Sequence, residues 1–367
     1  MLLVAVILAT FVYGIASAML GTLLPAFGFS ASESGGIALA QSVGLMIASL
    51  SSGPIIDQFG KKRPLVGGLF LMACMLWMLP GVSTSAAAAL VLFILGLGGG
   101  IMVNAVNSQV SAIGADRRAS LLAFTNLFFG LGLMVTPWVS TLVRNDAKQL
   151  CYLAAGLATF TGIVQTLTRS PLATSEHQFQ IAEARGLLKS PVLWLLAGTV
   201  CLYVACEVGL SNWLASYLIL KGLPRDEALN IMAWRFGLGL LLGRLAIAPV
   251  MLKVNPRVVL PLASVCMAAT SYWILQTTSP AVAVFFTGVA MAPVFPSALA
   301  IVGDQFPQAT ATAMGIVITF GWIGLTVSSP VIGLIADRSS LGQALLLFPA
   351  FSVGMLLLTL ALRTVRR

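Results

Sequence analysis

The sequence predicts an all-α membrane protein whose twelve transmembrane helices form two pseudo-symmetric six-helix bundles. Three observations lead to this fold class: the composition, the number of apolar runs, and the placement of the basic residues. Of the 367 residues, 59% are hydrophobic and 8% are charged, whereas an average soluble protein carries about 25% charged residues. A deficit of this size indicates that most of the protein surface faces lipid rather than water.

The apolar runs give the number of spans. A helix needs about 20 mainly apolar residues to cross a bilayer, and twelve runs meet this requirement. The longest polar break, residues 169–190, separates six runs from six runs, so we expect an N-terminal bundle over 1–168, a cytoplasmic linker over 169–190 and a C-terminal bundle over 191–367. The predicted spans are 2–26, 36–56, 64–82, 87–113, 119–142, 149–168, 191–219, 228–251, 257–276, 280–302, 311–335 and 342–362.

The basic residues predict the orientation. If both termini are cytoplasmic, the inner loops and the C-terminal tail hold thirteen Lys and Arg residues, and the outer loops hold five. An excess of positive charge on the cytoplasmic side is the usual topology signal. Because the basic residues are scattered among short loops and form no single face, a nucleic-acid partner is excluded. We expect a monomeric, multi-pass protein of the inner (plasma) membrane, surrounded by the lipid bilayer.

A weak internal repeat supports the division into halves. Span 2 is followed by GPIIDQFGKKRP and span 8 ends in GRLAIAPVMLKVNPR. Each segment has a Gly, then a helix end, then a basic turn, at the same place in its half. Repeated halves are typical of secondary transporters, whose substrate site lies at the repeat interface near the bilayer midplane. The repeat therefore predicts a transporter for a small molecule.

The loop after span 2 carries the strongest local motif, which runs from Gly53 to Arg63. Gly53 allows another helix to approach closely, and Asp57 can face a helix N-terminus, where negative charge is favoured, or pair with a cation. Gly60 permits a tight turn, and Lys61 and Arg63 remain in the cytoplasm. The motif fits two interpretations equally well: a conformational gate, or a capped turn whose charges set the topology.

This G-x-x-x-D-x-x-G-[RK]-[RK] pattern, in a chain of twelve spans, resembles the signature of the major facilitator superfamily. The resemblance implies the major facilitator fold. It also implies that Asp57 and the basic residues after it latch the cytoplasmic side when the cavity opens outward. Gln58 stands where the family usually has Arg, and this departure weakens one expected ion pair.

Further segments are similar to the fucose-permease-like branch, which carries mainly sugars by proton symport: GLGGGIMVNAVN in span 4, YVACEVGLSNWLASYL in span 7 and APVFP in span 10. The resemblance implies that a sugar or sugar-like compound crosses the membrane together with a proton. Relatives often carry acids in spans 1 and 4, near positions where this chain has Ser17 and Val103, so proton coupling is either missing from this chain or has moved elsewhere. The alternative is a drug or metabolite efflux antiporter of the same superfamily, although span 5 lacks the adjacent Gly-Pro pair of such antiporters.

Glu207 is the only acid well inside a predicted span, and a charge at that depth is costly. Glu207 is a candidate proton site or substrate acceptor, or else one half of a structural ion pair. Arg235 in span 8 is its expected partner in proton coupling. Arg235 could instead bind an anionic substrate group or extend to the outer surface. Arg244, nearer the cytoplasmic end, is assigned to the inner gate.

Amides and aromatic rings inside the spans complete the candidate site. An amide without a hydrogen bond is costly in hydrocarbon, so these amides should face the cavity or bond across helices. One His and one deep acid provide no catalytic set and no metal cluster, so we expect neither an enzyme nor a cofactor nor a metal. Pro293 and Pro296 are expected to interrupt or kink span 10. The predicted substrate-binding residues are Gln41, Asn104, Asn107, Asn126, Tyr203, Trp213 and Trp322.

Overall fold

A computed structural model describes residues 1–26, 29–144, 146–168 and 186–365. All regular secondary structure within these ranges is helical, and twelve helical segments are long and apolar enough to cross a membrane. The prediction of a twelve-span helical protein is therefore confirmed. Most of the predicted linker, including His177, lies outside the described residues, as does the end of the basic tail.

Nine spans are single helices. Their bounds, for spans 1–7, 9 and 11 in that order, are Leu2–Ala26, Ala31–Phe59, Lys62–Met78, Ser85–Ile113, Arg118–Leu142, Ala147–Leu167, Pro191–Leu220, Pro256–Gln276 and Thr310–Arg338. Short 3₁₀ turns follow span 3 at Leu79–Gly81 and precede span 5 at Ala115–Arg117.

The other three spans are interrupted. Span 10 consists of Pro280–Met291 and Val294–Gln305, which confirms the predicted break at Pro293. The parts of span 8 are Arg225–Asn230, a π-helical turn Ile231–Phe236, and Gly237–Val250. Span 12 consists of Leu341–Ala344 and Leu347–Thr364.

Span 2 starts at Ala31, earlier than its apolar run. A capping box explains the extra turn, because the Ser30 hydroxyl accepts from the Glu33 backbone N–H at 3.2 Å. The Glu33 carboxylate accepts in return from the Ser30 N–H at 2.9 Å. These bonds satisfy amides that would otherwise lack acceptors at a helix start, so a polar first turn becomes helical.

The chain forms two compact units, each assembled from more than one segment. The first comprises Met1–Ile113, Thr125–Arg185 and Phe306–Thr319, and the second comprises Gly114–Phe124, Gly186–Gln305 and Phe320–Arg367. The predicted bundle boundaries at 168 and 191 stay a prediction, because residues 169–185 are not described.

Glycines bring backbones into contact inside the first unit. A Cβ on Gly44 of span 2 would lie 2.2 Å from the Phe93 carbonyl oxygen, and a Cβ on Gly96 of span 4 would lie 2.3 Å from the Gln41 carbonyl oxygen. No side chain fits at either position. Close approach through small residues is the usual way in which helices associate in lipid, and it fixes span 2 against span 4.

In the second unit, glycines bring the backbones of spans 8 and 10 into contact in the same way. A Cβ on Gly239 would lie 2.1 Å from the Phe285 carbonyl oxygen, and a Cβ on Gly288 would lie 2.6 Å from the Phe236 carbonyl oxygen. This contact sets the rotation of span 8 about its axis, and Arg244, about 140° around the helix from Gly239, is turned toward span 7.

Candidate functional site

A buried ion pair joins spans 7 and 8 in the second unit. The closest guanidinium nitrogen of Arg244 lies 3.7 Å from Glu207 Oε1, and the two side chains expose 5% and 22% of their surfaces, respectively. Glu207 is near the middle of span 7, about 20 Å along the helix from Leu220. Opposite charges can be held at this depth because each reduces the cost of burying the other.

Tyr203 completes this cluster from one turn below Glu207 on the same face of span 7. Its side chain is 1% exposed, and its hydroxyl lies next to both Glu207 and Arg244. The hydroxyl makes no hydrogen bond of good geometry to either. The structure thus places an acceptor, Glu207, beside two buried donors.

The predicted partner of Glu207 was wrong. Arg235 is exposed and lies in the π-helical turn, while Arg244 occupies the place beside Glu207. Nine residues separate the two arginines, and at 3.6 residues per turn this spacing puts them on opposite sides of a helix. Because the contact of Gly239 with span 10 sets the rotation of span 8, Arg244 points toward span 7. The gating role of Arg244 stays a prediction. The structure places this residue in the ion pair with Glu207.

The other two predicted aromatic residues of the second unit, Trp213 and Trp322, lie elsewhere on spans 7 and 11. The Trp213 ring packs on Gly333 of span 11, since a Cβ there would be 3.4 Å from the ring, and its Nε1 is buried with no hydrogen-bond acceptor among the described residues. Trp322 on span 11 is partly buried. Between spans 7 and 11, the Asn212 amide donates to the Ser329 hydroxyl at 2.8 Å. The prediction missed this polar contact because Asn212 sits beside the more conspicuous Trp213.

Two of the four predicted amides of the first unit, Asn104 and Asn107, donate to backbone carbonyls. Asn104 is fully buried, and its amide donates to the Ser49 carbonyl at 3.3 Å and the Ser52 hydroxyl at 3.1 Å. Asn107 donates to the carbonyl of Val103 on its own helix at 2.8 Å. Gln41 is buried, and Asn126 is partly buried. For Asn104 this geometry favours a hydrogen bond between helices over contact with a solute. The substrate-binding roles of all four amides stay predictions.

The motif residue Asp57 caps the helix of span 11. One carboxylate oxygen accepts from the Ala311 N–H at 3.0 Å, and the other accepts from the Thr312 N–H at 2.8 Å and the Thr312 hydroxyl at 2.7 Å. A Cβ on Gly53 would lie 2.5 Å from Thr312 Cα. The expectation that Asp57 can face a helix N-terminus is confirmed, and Gly53 provides the space that lets this helix approach.

The remaining motif residues form the turn after span 2. Gly60 has a φ of 84°, a conformation that glycine adopts without strain. Lys62 donates to the Thr166 carbonyl at the end of span 6 at 2.8 Å, while Arg63 is exposed and Lys61 is partly buried. Another polar contact, in the second unit, joins Arg118 at the start of span 5 to Asp304 at the end of span 10.

Metal chemistry has no support in the described part of the chain, where no group of three or more His, Cys, Asp or Glu side chains could hold an ion. The fold is that of a polytopic carrier for small molecules. It combines twelve spans, close packing through small residues, a broken span 10 and a deep ion pair.

The chain belongs to the Major Facilitator Superfamily, whose family model matches residues 2–281. Members of this family are transporters rather than enzymes, so the family shows a transporter with a small-molecule substrate. Among solved structures, the Escherichia coli fucose:proton symporter FucP is similar with a TM-score of 0.83 at 16% identity, over 98% of both chains. At this identity the likeness shows the fold alone.

Two curated relatives are also named as transporters. A Yersinia pestis protein described as an uncharacterized MFS-type transporter is 25% identical over 96% of this chain and 92% of its own length. The 4-hydroxybenzoate transporter PcaK of Pseudomonas aeruginosa is 31% identical over 140 residues, which cover 36% of this chain and 31% of PcaK.

Proposed function

We propose that this transporter moves a sugar or sugar-like compound together with a proton, by alternating access, across the inner membrane, with both termini in the cytoplasm. The observation that carries the proposal is the Glu207–Arg244 pair deep in span 7 and span 8. Glu207 supplies a carboxyl group that can carry a proton, and Arg244 beside it is a permanent cation. A proton that binds Glu207 breaks the pair, so proton binding and a change of conformation are linked.

The name of FucP, a fucose:proton symporter, supports the same combination of substrate and coupling ion. The unequal distribution of Lys and Arg, thirteen on the side of the termini against five on the other side, supports the orientation. In this proposal the Asp57 cap acts as part of a gate. A conformation that holds span 11 against span 2 through Asp57 and Gly53 must release this contact before the alternative conformation can form.

The test is uptake into proteoliposomes that contain the purified full-length chain. A panel of radiolabelled neutral sugars and sugar acids is offered with and without an imposed pH gradient. One pH unit, acidic outside, should drive up to about tenfold accumulation of a solute that crosses with one proton. Accumulation driven by the opposite gradient would indicate an antiporter and contradict the proposal.

The Glu207→Gln variant tests the proton site. It removes the titratable group while keeping the shape of the side chain, so gradient-driven accumulation should fall to the level reached without a gradient. The matched control is Glu227→Gln, because Glu227 is an exposed carboxyl at the start of span 8. Undiminished accumulation by Glu207→Gln would show that Glu207 does not carry the proton.

A further inference from the structure

The buried arginine of span 8 indicates the chemical class of the solute. When Glu207 is ionised, Glu207 and Arg244 together carry no net charge. If a proton neutralises Glu207 and the solute is also neutral, Arg244 loses the carboxylate that it faces in this structure. A state of the protein in which a buried ion pair has lost one of its charges is disfavoured on the order of 100-fold or more. A solute with its own negative charge would avoid this penalty.

We infer that the solute is a small carboxylate, such as the anion of a sugar acid, which binds Arg244 when Glu207 is protonated. This inference rests on the proposed function, because it uses Glu207 as the proton site. The planar guanidinium of arginine matches a carboxylate with two parallel hydrogen bonds. The solute carboxylate would therefore replace the Glu207 carboxylate at the same cation.

The geometry of the pair suits such an exchange. Strong charge-assisted hydrogen bonds are about 2.7–2.9 Å long, and the 3.7 Å separation of Arg244 and Glu207 is longer. Tyr203 adds a buried hydroxyl that makes no hydrogen bond of good geometry to any residue in the described ranges. A solute carboxylate could accept from both Arg244 and Tyr203, and the pair seen here would be the resting arrangement without solute.

Access to the pair follows a polar face of span 7. Part of the Glu207 side chain is exposed, and the next turn toward the outer end presents Ser211 and Asn212, both exposed. Exposed polar side chains at this depth are costly against lipid. The face is therefore better suited to a water-filled path than to the bilayer, and a charged solute could follow it.

The other ionisable groups around Glu207 lie at different places in the second unit. Those on the elements packed against span 7 lie at helix ends or on exposed faces of the described residues. On span 7 itself, the neighbouring titratable groups are Tyr203 and the thiols of Cys201 and Cys206. The groups on the surrounding spans are Arg225–Glu227, Arg235, Asp304, Asp337, Arg338 and Arg363.

Charge counting yields a measurable distinction. One proton and one carboxylate anion cross together without net charge, so an electrical potential should not drive their accumulation. One proton and a neutral sugar carry one positive charge, which a potential of 100 mV, negative inside, concentrates about 50-fold at equilibrium. Electrical sensitivity therefore separates a carboxylate substrate from a neutral one, even when both cross with a proton.

The experiment compares matched pairs of radiolabelled probes in proteoliposomes: D-galacturonate with D-galactose, and D-glucuronate with D-glucose. Each pair differs at the sixth carbon only. We expect a uronate to accumulate up to about tenfold per pH unit and to respond less than twofold to a potassium–valinomycin potential. About 50-fold accumulation of a neutral sugar under the potential would support the proposed function and overturn this inference. Accumulation of neither class under either gradient would overturn both.

Variants at the pair provide a second readout. Arg244→Gln should reduce uronate uptake about 30-fold or more, the cost of truncating a buried charged contact. Arg225→Gln, which changes an exposed arginine on the same span, should leave uptake unchanged. Thermal melting of the purified variants checks that Arg244→Gln is folded. Full uptake by this variant would overturn the inference.

The Glu207→Gln variant keeps Arg244 and so tests the inference even if Arg244→Gln does not fold. The glutamine side chain is always neutral, like the protonated carboxyl of Glu207, so the solute anion should still bind Arg244. We expect exchange of labelled for unlabelled uronate across the membrane to persist, while accumulation driven by a pH gradient is lost. Loss of exchange as well, in a folded protein, would show that the anion does not bind independently of Glu207 and would overturn the inference.

Discussion

Asp57 supplies from span 2 the N-terminal cap of the span 11 helix. The residue before that helix, Ala309, has no polar side chain with which to cap it, and the first amides of a helix lack intrahelical acceptors. Asp57 accepts from the amides of Ala311 and Thr312 and from the Thr312 hydroxyl. We predict that Asp57→Asn weakens this contact, because asparagine carries no charge and only one of its two terminal atoms accepts.

The size of the effect follows from the three bonds. A hydrogen bond to a charged group contributes about 1.5–3 kcal/mol, and a negative charge at a helix N-terminus contributes about 0.3–2 kcal/mol. Asparagine keeps one acceptor and turns its NH₂ group toward one of the two amides. We therefore expect Asp57→Asn to weaken the cap of span 11 by about 2–3 kcal/mol. This raises the population in which the cap is open by a factor of about 30 to 150.

Hydrogen exchange measures this directly, because in this structure the amides of Ala311 and Thr312 bond to Asp57. The peptide containing Ala311 and Thr312 should exchange faster by about this factor in Asp57→Asn. Asp226→Asn, at an exposed carboxyl, serves as the control and should exchange like the wild type. Unchanged exchange of the Ala311 and Thr312 amides in Asp57→Asn would refute the capping argument.

Three further predictions concern packing and polar contacts. Gly53→Ala should lower the melting temperature, because the added Cβ would lie 2.5 Å from the backbone of span 11. The control is Gly67→Ala, whose Cβ would have nothing within 4 Å. This control should leave the melting temperature unchanged or raise it, because alanine has the higher helix propensity. Asn104→Ala should cost about 1–3 kcal/mol of stability without changing the KM of transport, and a raised KM in an equally stable protein would instead show contact with the solute. Arg118→Gln should lower stability by about 1.5–3 kcal/mol, the contribution of a hydrogen bond to a charged group, because only 12% of the Arg118 side chain is exposed. An unchanged thermal melt would contradict this.

The fold was predictable because its signals are local. Apolar length marks each span, and proline marks the break in span 10, so the twelve spans needed no knowledge of packing. The largest error in a span boundary, at the start of span 2, has a local cause as well. The capping box of Ser30 and Glu33 was visible in the sequence, but the apolar run alone placed the start at residue 36.

The site was less predictable because its contacts are distant in sequence. Asp57 and Thr312 are 255 positions apart, and the sequence indicates only that Asp57 suits a helix N-terminus, without indicating which helix. The choice between Arg235 and Arg244 depended on how span 8 is rotated. Depth along the helix favoured Arg235, but rotation is set by the contact of Gly239 with span 10, which only the packed structure provides.

The polar groups of the spans differ in what they can do during transport. Asn104 and Asn107 are amides that donate to backbone or hydroxyl oxygens, and amides do not change charge at physiological pH, so protonation cannot drive them between two arrangements. Glu207 can change charge, and the 3.7 Å separation from Arg244 allows the pair to part at less cost than a short bidentate contact. A proton can therefore favour one conformation over another only through a group of this kind. Coupling in this transporter is consequently expected in spans 7 and 8, and the amides of spans 2 and 4 would provide the framework on which the solute site is built.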